Sequence, residues 1–139
     1  KNYMKLEFPA RSVNEGFARS ALSAFAAQAD PTLDELADVK TAVSEAVTNC
    51  IVHAYANTIG PITLTAALYE DGTLRVAVAD KGCGIPDVSK AMEPLFTTGG
   101  AERAGLGFAV MESFMDSVKV RSAPGKGTRV TLSKRLGTR

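Results

Sequence analysis

The chain has 139 residues, of which 45% are hydrophobic and 22% charged, and its formal net charge is +1. These values predict a single globular domain over residues 1–139, with a core that needs neither disulfides nor a structural metal. They argue against a disordered chain and against direct nucleic-acid binding. The basic residues near the C-terminus, Lys134, Arg135 and Arg139, are better explained by a solvated terminal strand and tail.

The two cysteines, Cys50 and Cys83, form no CxxC pattern, so neither a zinc site nor a disulfide framework is indicated. We expect both to be reduced and buried. The longest apolar run, residues 21–29, is too short to span a membrane, and no signal-peptide pattern precedes it. These features predict a cytoplasmic protein without a membrane partner.

Hydrophobic periodicity and turn residues divide the chain into helices and strands. In chain order they are a strand ending at Pro9, a helix from Ser12 to about Gln28, a long helix from Thr32 to about 57–60, strands 62–69 and 73–80, a short helix to about Glu93, a polar stretch from Pro94 to Gly105, a helix from Gly107 to about Met115, and strands 118–122 and 128–132. Ser12 with Glu15 and Thr32 with Glu35 each match a helix-initiating capping box.

A short turn sequence separates strand 62–69 from strand 73–80, and another separates strand 118–122 from strand 128–132. This predicts two hairpins. Hairpins together with several helices favour an α+β fold, a two-layer sandwich with helices on one face of a mixed, mostly antiparallel sheet. A doubly wound parallel sheet is the weaker alternative, because parallel neighbours cannot be joined by hairpins.

The long helix carries Glu45, Asn49 and His53 at positions i, i+4 and i+8, so the helical period places them in one polar stripe. Such a stripe is normally a solvated surface. However, no Lys or Arg occurs between Lys40 and Arg75, so Glu45 lacks a local cation. This favours a stripe that lines a site for a metal, a proton transfer or both, although a lone histidine is as often structural.

Two glycine motifs follow. Asp80-x-Gly82-x-Gly84 ends a strand and could wrap a flat or charged ligand, or could simply be a strand-ending turn. Gly105-x-Gly107 leads into a helix whose exposed amides could bind an anion, or it could open an ordinary packing helix. No P-loop and no GxGxxG motif is present.

The order of these motifs, from Glu45-xxx-Asn49-xxx-His53 to Gly127-Thr128, resembles the GHKL (Bergerat-fold) superfamily of ATP-binding domains over essentially the whole chain. The segments "NEGFARSAL", "DPTLDELADVKTAVSEAVTN", "PLFTT" and "GFAVMESFMD" further resemble the anti-sigma F factors of sporulation, a family of serine protein kinases. The two resemblances together imply a Bergerat fold and an ATP site.

The resemblance implies that Asn49 binds a Mg²⁺ ion bridging the ATP phosphates, and that Glu45 is the general base for the attacking serine hydroxyl. Asp80 would accept a hydrogen bond from the exocyclic amine of adenine. The other residues it assigns to the nucleotide are His53, Gly82, Gly84, Ile85, Thr97, Thr98, Gly105, Gly107, Phe108 and Thr128. Arg19 and Arg103 match positions of partner contact and lid function, and residues 94–104 would form the lid. Each arginine could instead be an ordinary solvated side chain.

By resemblance, the protein is an ATP- and Mg²⁺-dependent kinase that acts as a homodimer. It would hold sporulation sigma factor F inactive and phosphorylate a serine of an anti-anti-sigma factor. One alternative is the anti-sigma kinase of the general-stress pathway. Another is the catalytic domain of a histidine kinase, although the single histidine, His53, lies inside the nucleotide motif. A sigma-binding module without transferase activity is a third, and Glu45 argues against it.

Overall fold

The computed structural model describes residues 1–55, 59–82 and 100–137, without the side chains of residues 100–106. The described helices and strands occur in an order close to the one predicted. They are β1 (Asn2–Pro9), α1 (Val13–Ala26), a 3₁₀ turn (Ala27–Ala29), α2 (Leu33–Asn49), a π-helical turn (Cys50–Ala54), β2 (Pro61–Leu68), β3 (Thr73–Asp80), α3 (Gly100–Phe114), β4 (Ser117–Ala123) and β5 (Gly127–Arg135). The predicted short helix ending near Glu93 lies outside the described residues.

The described strands form one sheet in the order β1-β2-β3-β5-β4. The predicted α+β architecture is confirmed, and both predicted hairpins are present as β2–β3 and β4–β5. Every pair of neighbours among these strands is antiparallel, so the expected mixed sheet has no parallel neighbours in the described part. The reason is that β5 lies between β3 and β4, which run in the same direction but do not touch.

The core lies between the helices and one face of the sheet. Strand residues alternate between the two faces, and those facing the helices are mostly apolar. They are almost fully buried on the inner strands, as Leu74, Val76 and Val78 are on β3, and partly buried on the edge strands β1 and β4. The helices contribute large buried side chains of their own, among them Leu22, Val39, Val43, Val47, Phe108 and Met111. Burying one such side chain contributes about 1.5 to 3 kcal/mol, so this packing fixes α2 and α3 on the same face of the sheet.

The two predicted capping boxes have different outcomes. At the start of α2, Glu35 N donates to Thr32 Oγ1 at 3.1 Å and Thr32 N donates to Glu35 Oε1 at 2.8 Å, which confirms the box. At the start of α1, Ser12 makes no capping bond with its side chain, so that prediction is wrong. Ser12 has helical dihedral angles rather than the extended ones a cap requires, and Glu15 instead pairs with Arg19 at 3.1 Å.

Candidate functional site

The polar stripe of α2 lies against α3 rather than in solvent. A Cβ atom placed on Gly107 of α3 would stand 3.0 Å from Asn49 Nδ2, 3.1 Å from Asn49 Oδ1 and 3.3 Å from Glu45 Oε2. Glu45 and Asn49 are both half-buried. A fully solvated stripe is therefore wrong for these two residues, whose polar atoms converge on one point of the α2–α3 interface.

The side-chain amide of Asn49 retains unused hydrogen-bonding capacity. Its Nδ2 atom is buried, and no described residue accepts a hydrogen bond from it. Leaving a buried donor unpaired costs roughly 1 to 3 kcal/mol, so native proteins rarely do so without a reason. An amide held in this state next to a carboxylate is typical of a site that a ligand or water completes.

The α-helical stripe does not continue to His53. The α-helix ends at Asn49, and residues Cys50–Ala54 form a π-helical turn, which holds more residues per turn. His53 is half-buried in this turn, so its direction is not set by the spacing that aligns Glu45 with Asn49. Single π-helical turns inside or after α-helices occur frequently at functional sites.

Asp80 ends β3 as the one charged or polar residue that is buried in the described part of the chain, with 8% of its surface exposed. Its Oδ1 atom accepts two backbone hydrogen bonds, from Gly82 N at 2.9 Å and from Thr128 N at 3.2 Å. Its Oδ2 atom accepts from Cys50 Sγ at 3.4 Å. The carboxylate is thus anchored by one oxygen, while the other keeps a lone pair for a further donor.

Cys50 connects the two halves of the site, because it follows Asn49 in the chain and contacts Asp80. Burial raises the pKa of the Cys50 thiol well above its usual value, and the negative charge of Asp80 and their hydrogen bond raise it further. The thiol therefore stays protonated and donates to the carboxylate. As expected, Cys50 is reduced and buried; Cys83 lies outside the described residues.

Two glycines allow the backbone segments around Asp80 to approach each other. A Cβ atom on Gly82 would collide with the carbonyl oxygen of Ala54, at the end of the π-helical turn. Gly127 has φ = +88°, and a Cβ atom there would collide with the carbonyl oxygen of Asp80. Glycine is therefore required at both positions, which explains part of the motif without any ligand.

Tyr55 is a site-proximal residue that the sequence patterns did not single out. Its hydroxyl donates to the Pro61 carbonyl at 2.6 Å and accepts from Lys81 N at 2.7 Å. Burial raises the pKa of the Tyr55 phenol, so the hydroxyl remains a donor. Tyr55 thereby ties the π-helical turn to the start of β2 and to the turn that follows Asp80. No periodicity or motif distinguishes such a tyrosine in the sequence.

The predicted start of the third helix at Gly107 is wrong. Helix α3 begins at Gly100, so Gly105 and Gly107 lie inside it. Residues 101–104 read Ala-Glu-Arg-Ala, which are strong helix formers, and they extend the helix past the two glycines. The amides of Gly105 and Gly107 therefore do not form a free helix N-terminus here, and their role toward phosphate remains a prediction.

The remaining assigned residues have different positions. Phe108 is 1% exposed and belongs to the hydrophobic core, so only its backbone is available to a ligand. Thr128 lies beside Asp80, and its hydroxyl is 2.8 Å from that of Ser122. Arg103 lies in α3. Four assigned residues lie outside the described part of the chain: Gly84, Ile85, Thr97 and Thr98.

Arg19, the other residue assigned to partner contact, is half-buried on α1, where it pairs with Glu15. Two large apolar residues of the same helix are exposed, Val13 at 76% and Phe17 at 54%. They are one helical turn apart and point away from the core. No motif in the sequence marks this pair, although a Phe outside the apolar face of a helix is a signal that could have indicated it.

Comparison with protein families gives a match over residues 8–134 to the histidine kinase-like ATPase domain. The chain is 58% identical over 137 residues to the anti-sigma F factor of Caldanaerobacter subterraneus subsp. tengcongensis, a match that covers 98% of this chain and 95% of that protein. It is 52% identical over 137 residues to the anti-sigma F factor of Clostridium acetobutylicum, with the same coverage of both chains.

Solved structures agree with the fold. The structure of the RsbU and RsbW domains of Rv1364c from Mycobacterium tuberculosis matches with a TM-score of 0.72 and 25% identity, over 98% of this chain and 33% of that chain. Full-length ShkA in complex with AMPPNP matches with a TM-score of 0.59 and 24% identity, over 75% of this chain and 22% of that chain. Within the described residues, no helix has the length and apolar character needed to cross a lipid bilayer.

The family match, the identities to curated relatives and the shared architecture all cover nearly the whole chain. This chain belongs to the histidine kinase-like ATPase domain family and, within it, to the anti-sigma F factors.

Proposed function

We propose that the protein is an ATP- and Mg²⁺-dependent serine kinase of the cytoplasm that also acts as an anti-sigma factor. It sequesters sporulation sigma factor F and phosphorylates a serine of an anti-anti-sigma factor. The observation that carries the proposal is the convergence of the Glu45 and Asn49 side chains on Gly107. The next residue after Asn49, Cys50, contacts the buried Asp80 carboxylate. The end of α2 thus carries a proton acceptor, Glu45, and an oxygen suited to a metal ion, that of Asn49. It also contacts a carboxylate suited to recognising adenine, that of Asp80.

The Asp80 carboxylate suits recognition of adenine. Backbone amides of Gly82 and Thr128 hold Oδ1, so the orientation of Oδ2 is fixed before a ligand arrives. Oδ2 can accept a hydrogen bond from an exocyclic amine, which adenine has at position 6 and guanine does not. A charged acceptor makes a hydrogen bond roughly twice as strong as a neutral one. This supports ATP rather than GTP as the nucleotide.

Asn49 suits a magnesium ion. Mg²⁺ keeps several waters and takes few protein oxygens when phosphate oxygens are present, so a single side-chain oxygen can be enough. Among the described residues, no cluster of three or more His, Cys, Asp or Glu side chains could hold a metal alone. Asn49 Oδ1 would be the protein ligand that holds the ion, and the ion would supply neutralisation of phosphate charge. The unpaired Nδ2 atom is a donor, so it would contact a phosphate oxygen or a water rather than the ion.

Glu45 suits the role of general base. It is one helical turn before Asn49, it is half-buried, and no described cation forms an ion pair with it. Its carboxylate can therefore accept a proton from a serine hydroxyl and orient that hydroxyl for attack on phosphorus. Phosphoryl transfer depends mainly on positioning and charge neutralisation, so one base and one metal-binding amide meet its needs.

The exposed side of α1 is the proposed partner surface. Val13 and Phe17 offer apolar area, and Arg19 of the same helix offers a charge on a different side of it; apolar area and arginine are both common at interface centres. The proposal includes a homodimer, because the anti-sigma F resemblance implies one. Tyr3 is 76% exposed on the edge strand β1 and supplies apolar area that a dimer contact could cover.

The experiment that tests the proposal combines the purified protein with γ-labelled ATP, Mg²⁺, sigma factor F and the anti-anti-sigma factor. We expect label on one serine of the anti-anti-sigma factor, and none when magnesium is chelated. A binding assay on the same samples should show sigma factor F retained by the protein. If sigma factor F is bound but no label transfers, the protein is a sigma-binding module without transferase activity and the kinase assignment fails.

A further inference from the structure

The face of the sheet that points away from the helices carries a group of cations. Four exposed basic residues line a shallow groove of about 450 Å³ there, with Arg75 on β3, Arg129 on β5 and Lys119 and Arg121 on β4. They share one face because strand residues alternate between the two faces, and each cation lies next to an apolar residue that faces the helices, Val76 on β3, Val120 on β4 and Val130 on β5. We call these four residues the basic face. It lies on the opposite side of the sheet from α2 and α3.

The cations of the basic face are not ion-paired with any described residue, although the Arg75 guanidinium lies 5.6 Å from the centre of the Tyr69 ring. Within the described part of the chain, none of its four cations forms an ion pair with a carboxylate, unlike Arg19, which pairs with Glu15, and Lys134, which pairs with Asp38. Arg121 and Arg129 are direct cross-strand partners. Like charges at directly opposed positions destabilise a sheet, so this arrangement costs stability in the free protein.

Edge protection explains only half of this surface. Strand β4 is at the edge of the sheet, and exposed edges commonly carry Lys and Arg that prevent aggregation. Lys119 and Arg121 could have this purpose alone. Arg129 and Arg75 lie on β5 and β3, which are paired on both sides and have no open edge to protect. A bound anionic partner accounts for all four cations.

The spacing of the cations indicates the form of that partner. Lys119 and Arg121 are two residues apart on one strand, which corresponds to about 6.6 to 6.8 Å. An extended peptide presents its alternate side chains with the same spacing. The hydroxyl groups of Ser117, Thr131 and Ser133 lie between the cations and can bond to a peptide backbone or to carboxylates. Arginine forks bind carboxylates through paired hydrogen bonds.

We propose that the basic face binds an extended, acidic segment of a protein partner, with carboxylates at alternate positions. The proposal goes beyond the kinase and anti-sigma function, because it concerns a surface separate from the nucleotide site and from α1. A second copy of this chain that met the basic face with its own basic face would bring like charges together.

A nucleic acid fits less well than an acidic peptide. The row that contains Arg121 and Arg129 continues through Ala79 and Thr63 to Glu7 on β1. Four strand spacings of about 4.8 Å separate the ends of this row by roughly 19 Å. A uniformly charged phosphate backbone laid across the sheet would therefore meet a carboxylate, whereas a peptide carries its charges only where they match.

Two labelled peptides of equal composition test the match in spacing. One alternates four glutamates with four threonines, and the other has the four glutamates in a block. We expect the alternating peptide to bind the full-length protein at least about tenfold more tightly in an anisotropy titration, with weaker binding as salt increases. Hydrogen exchange on the same complex should show added protection in β4 and β5.

Variants test the location. Arg121→Glu should weaken binding of the alternating peptide at least about tenfold. The matched control is Lys40→Glu, which makes the same charge change at an exposed lysine on α2 and should bind within about twofold of the parent. If Arg121→Glu does not fold, Arg129→Gln removes one cation without adding an acid and should give a smaller loss in the same direction.

Three results would overturn the proposal. Equal affinity for the two peptides would mean that the basic face does not distinguish the spacing of carboxylates. If Lys40→Glu lost as much affinity for the alternating peptide as Arg121→Glu, only the net charge of the protein would matter. Tighter binding of a labelled oligothymidylate of eight nucleotides than of the alternating peptide would assign the basic face to nucleic acid instead. Circular dichroism on each variant separates these results from misfolding.

Discussion

At the scale of single residues, Asp80 joins three segments that are distant in the chain. Its carboxylate accepts hydrogen bonds from the π-helical turn after α2, from the turn after β3 and from the start of β5. A buried charge is tolerated only when it is paired or hydrogen-bonded, so these donors are a condition of its burial. The same donors fix the direction of the free lone pair of Asp80 Oδ2 before a ligand binds.

Asp80→Asn should weaken ATP binding while the fold is retained. The amide keeps the size of the carboxylate but loses the charge, and losing a charged hydrogen bond costs roughly 1.5 to 3 kcal/mol, or about 10- to 150-fold in Kd. Titration with a fluorescent ATP analogue measures the effect. The control is Asp34→Asn, an exposed aspartate at the start of α2, which should bind normally. Equal affinity of the parent protein for ATP and GTP would contradict the adenine contact.

Glu45→Ala should separate binding from chemistry. The carboxylate is proposed to act on the serine hydroxyl, so ATP affinity should change little while phosphotransfer falls by roughly 10² or more, the scale for a general base. Rates under saturating ATP and substrate measure this directly. Glu112→Ala removes an exposed glutamate from α3 and should leave the rate unchanged. Near-normal transfer by Glu45→Ala would remove Glu45 from the mechanism.

Sequence spacing predicted the juxtaposition of Glu45 with Asn49, because it depends on the regular helix period. The assignment of Asp80 and Thr128 to one site came from the family resemblance, since their contact depends on the pairing of β3 with β5. Sequence spacing could not predict Cys50 as a donor to Asp80, since that contact depends on how α2 packs on β3. It could not orient His53 either. The change from α- to π-helical geometry after Asn49 has no signature in the apolar pattern.

At the scale of elements, the two helix starts provide a matched test of capping. Thr32→Ala removes the hydroxyl that accepts from Glu35 N in a formed capping box, while the bond from Thr32 N to Glu35 Oε1 needs no side chain at position 32. The loss should cost about 1 kcal/mol of unfolding free energy. Ser12→Ala removes a side chain that makes no capping bond and should cost less than about 0.5 kcal/mol. Urea unfolding of both variants measures the difference. A loss at Ser12 as large as that at Thr32 would mean that Ser12 caps α1 in solution.

A second pair of variants tests the contact between α2 and α3. Gly16→Ala lies in α1, where the added Cβ meets only Arg19 at 3.8 Å, so the variant should gain about 0.5 to 1 kcal/mol of stability. Gly107→Ala gives the same gain in helix propensity as Gly16→Ala, but its Cβ would press on the side chains of Asn49 and Glu45. Overpacking costs about 1 to 3 kcal/mol, so we expect no gain in stability and about tenfold weaker ATP binding.

The two Gly→Ala outcomes are distinguished by thermal unfolding and nucleotide titration of both variants. If Gly107→Ala is stabilised as much as Gly16→Ala and binds ATP normally, α3 does not approach Asn49 in solution.

The start of α3 at Gly100 explains why the predicted start at Gly107 was wrong. Two glycines suggested a helix start, but the helix formers before them and the packing of Phe108 in the core outweighed that signal.

At the scale of the whole molecule, the sequence predicted the layers but not the strand order. Alternation and turn residues are local, and they identified all the described strands and both hairpins. The insertion of β5 between β3 and β4 depends on pairings such as Val78 with Val130, which are far apart in the chain. This insertion brings Thr128 to Asp80, so the site is complete only when the whole sheet has formed.

A site built from the whole sheet should link nucleotide binding to global stability. At 100 times its Kd, a ligand that binds only the folded state adds about 2.7 kcal/mol. For a domain of 139 residues, each kcal/mol added to the free energy of unfolding raises Tm by about 3 to 4 °C, so Mg²⁺-ATP should raise Tm by about 10 °C. Calorimetry with and without nucleotide measures the shift.

Asp80→Asn provides the internal control for this linkage. At the same ATP concentration its weaker binding should reduce the shift to about half or less, whatever the Tm of the variant without nucleotide. Asp34→Asn, far from the site, should keep the full shift. Because each protein is compared with itself, a lower basal stability cannot imitate the result. If Mg²⁺-ATP leaves the Tm of the parent protein unchanged at concentrations that saturate binding, the nucleotide does not favour the folded state over the unfolded one. Asp80 and Asn49 then do not form the ATP site.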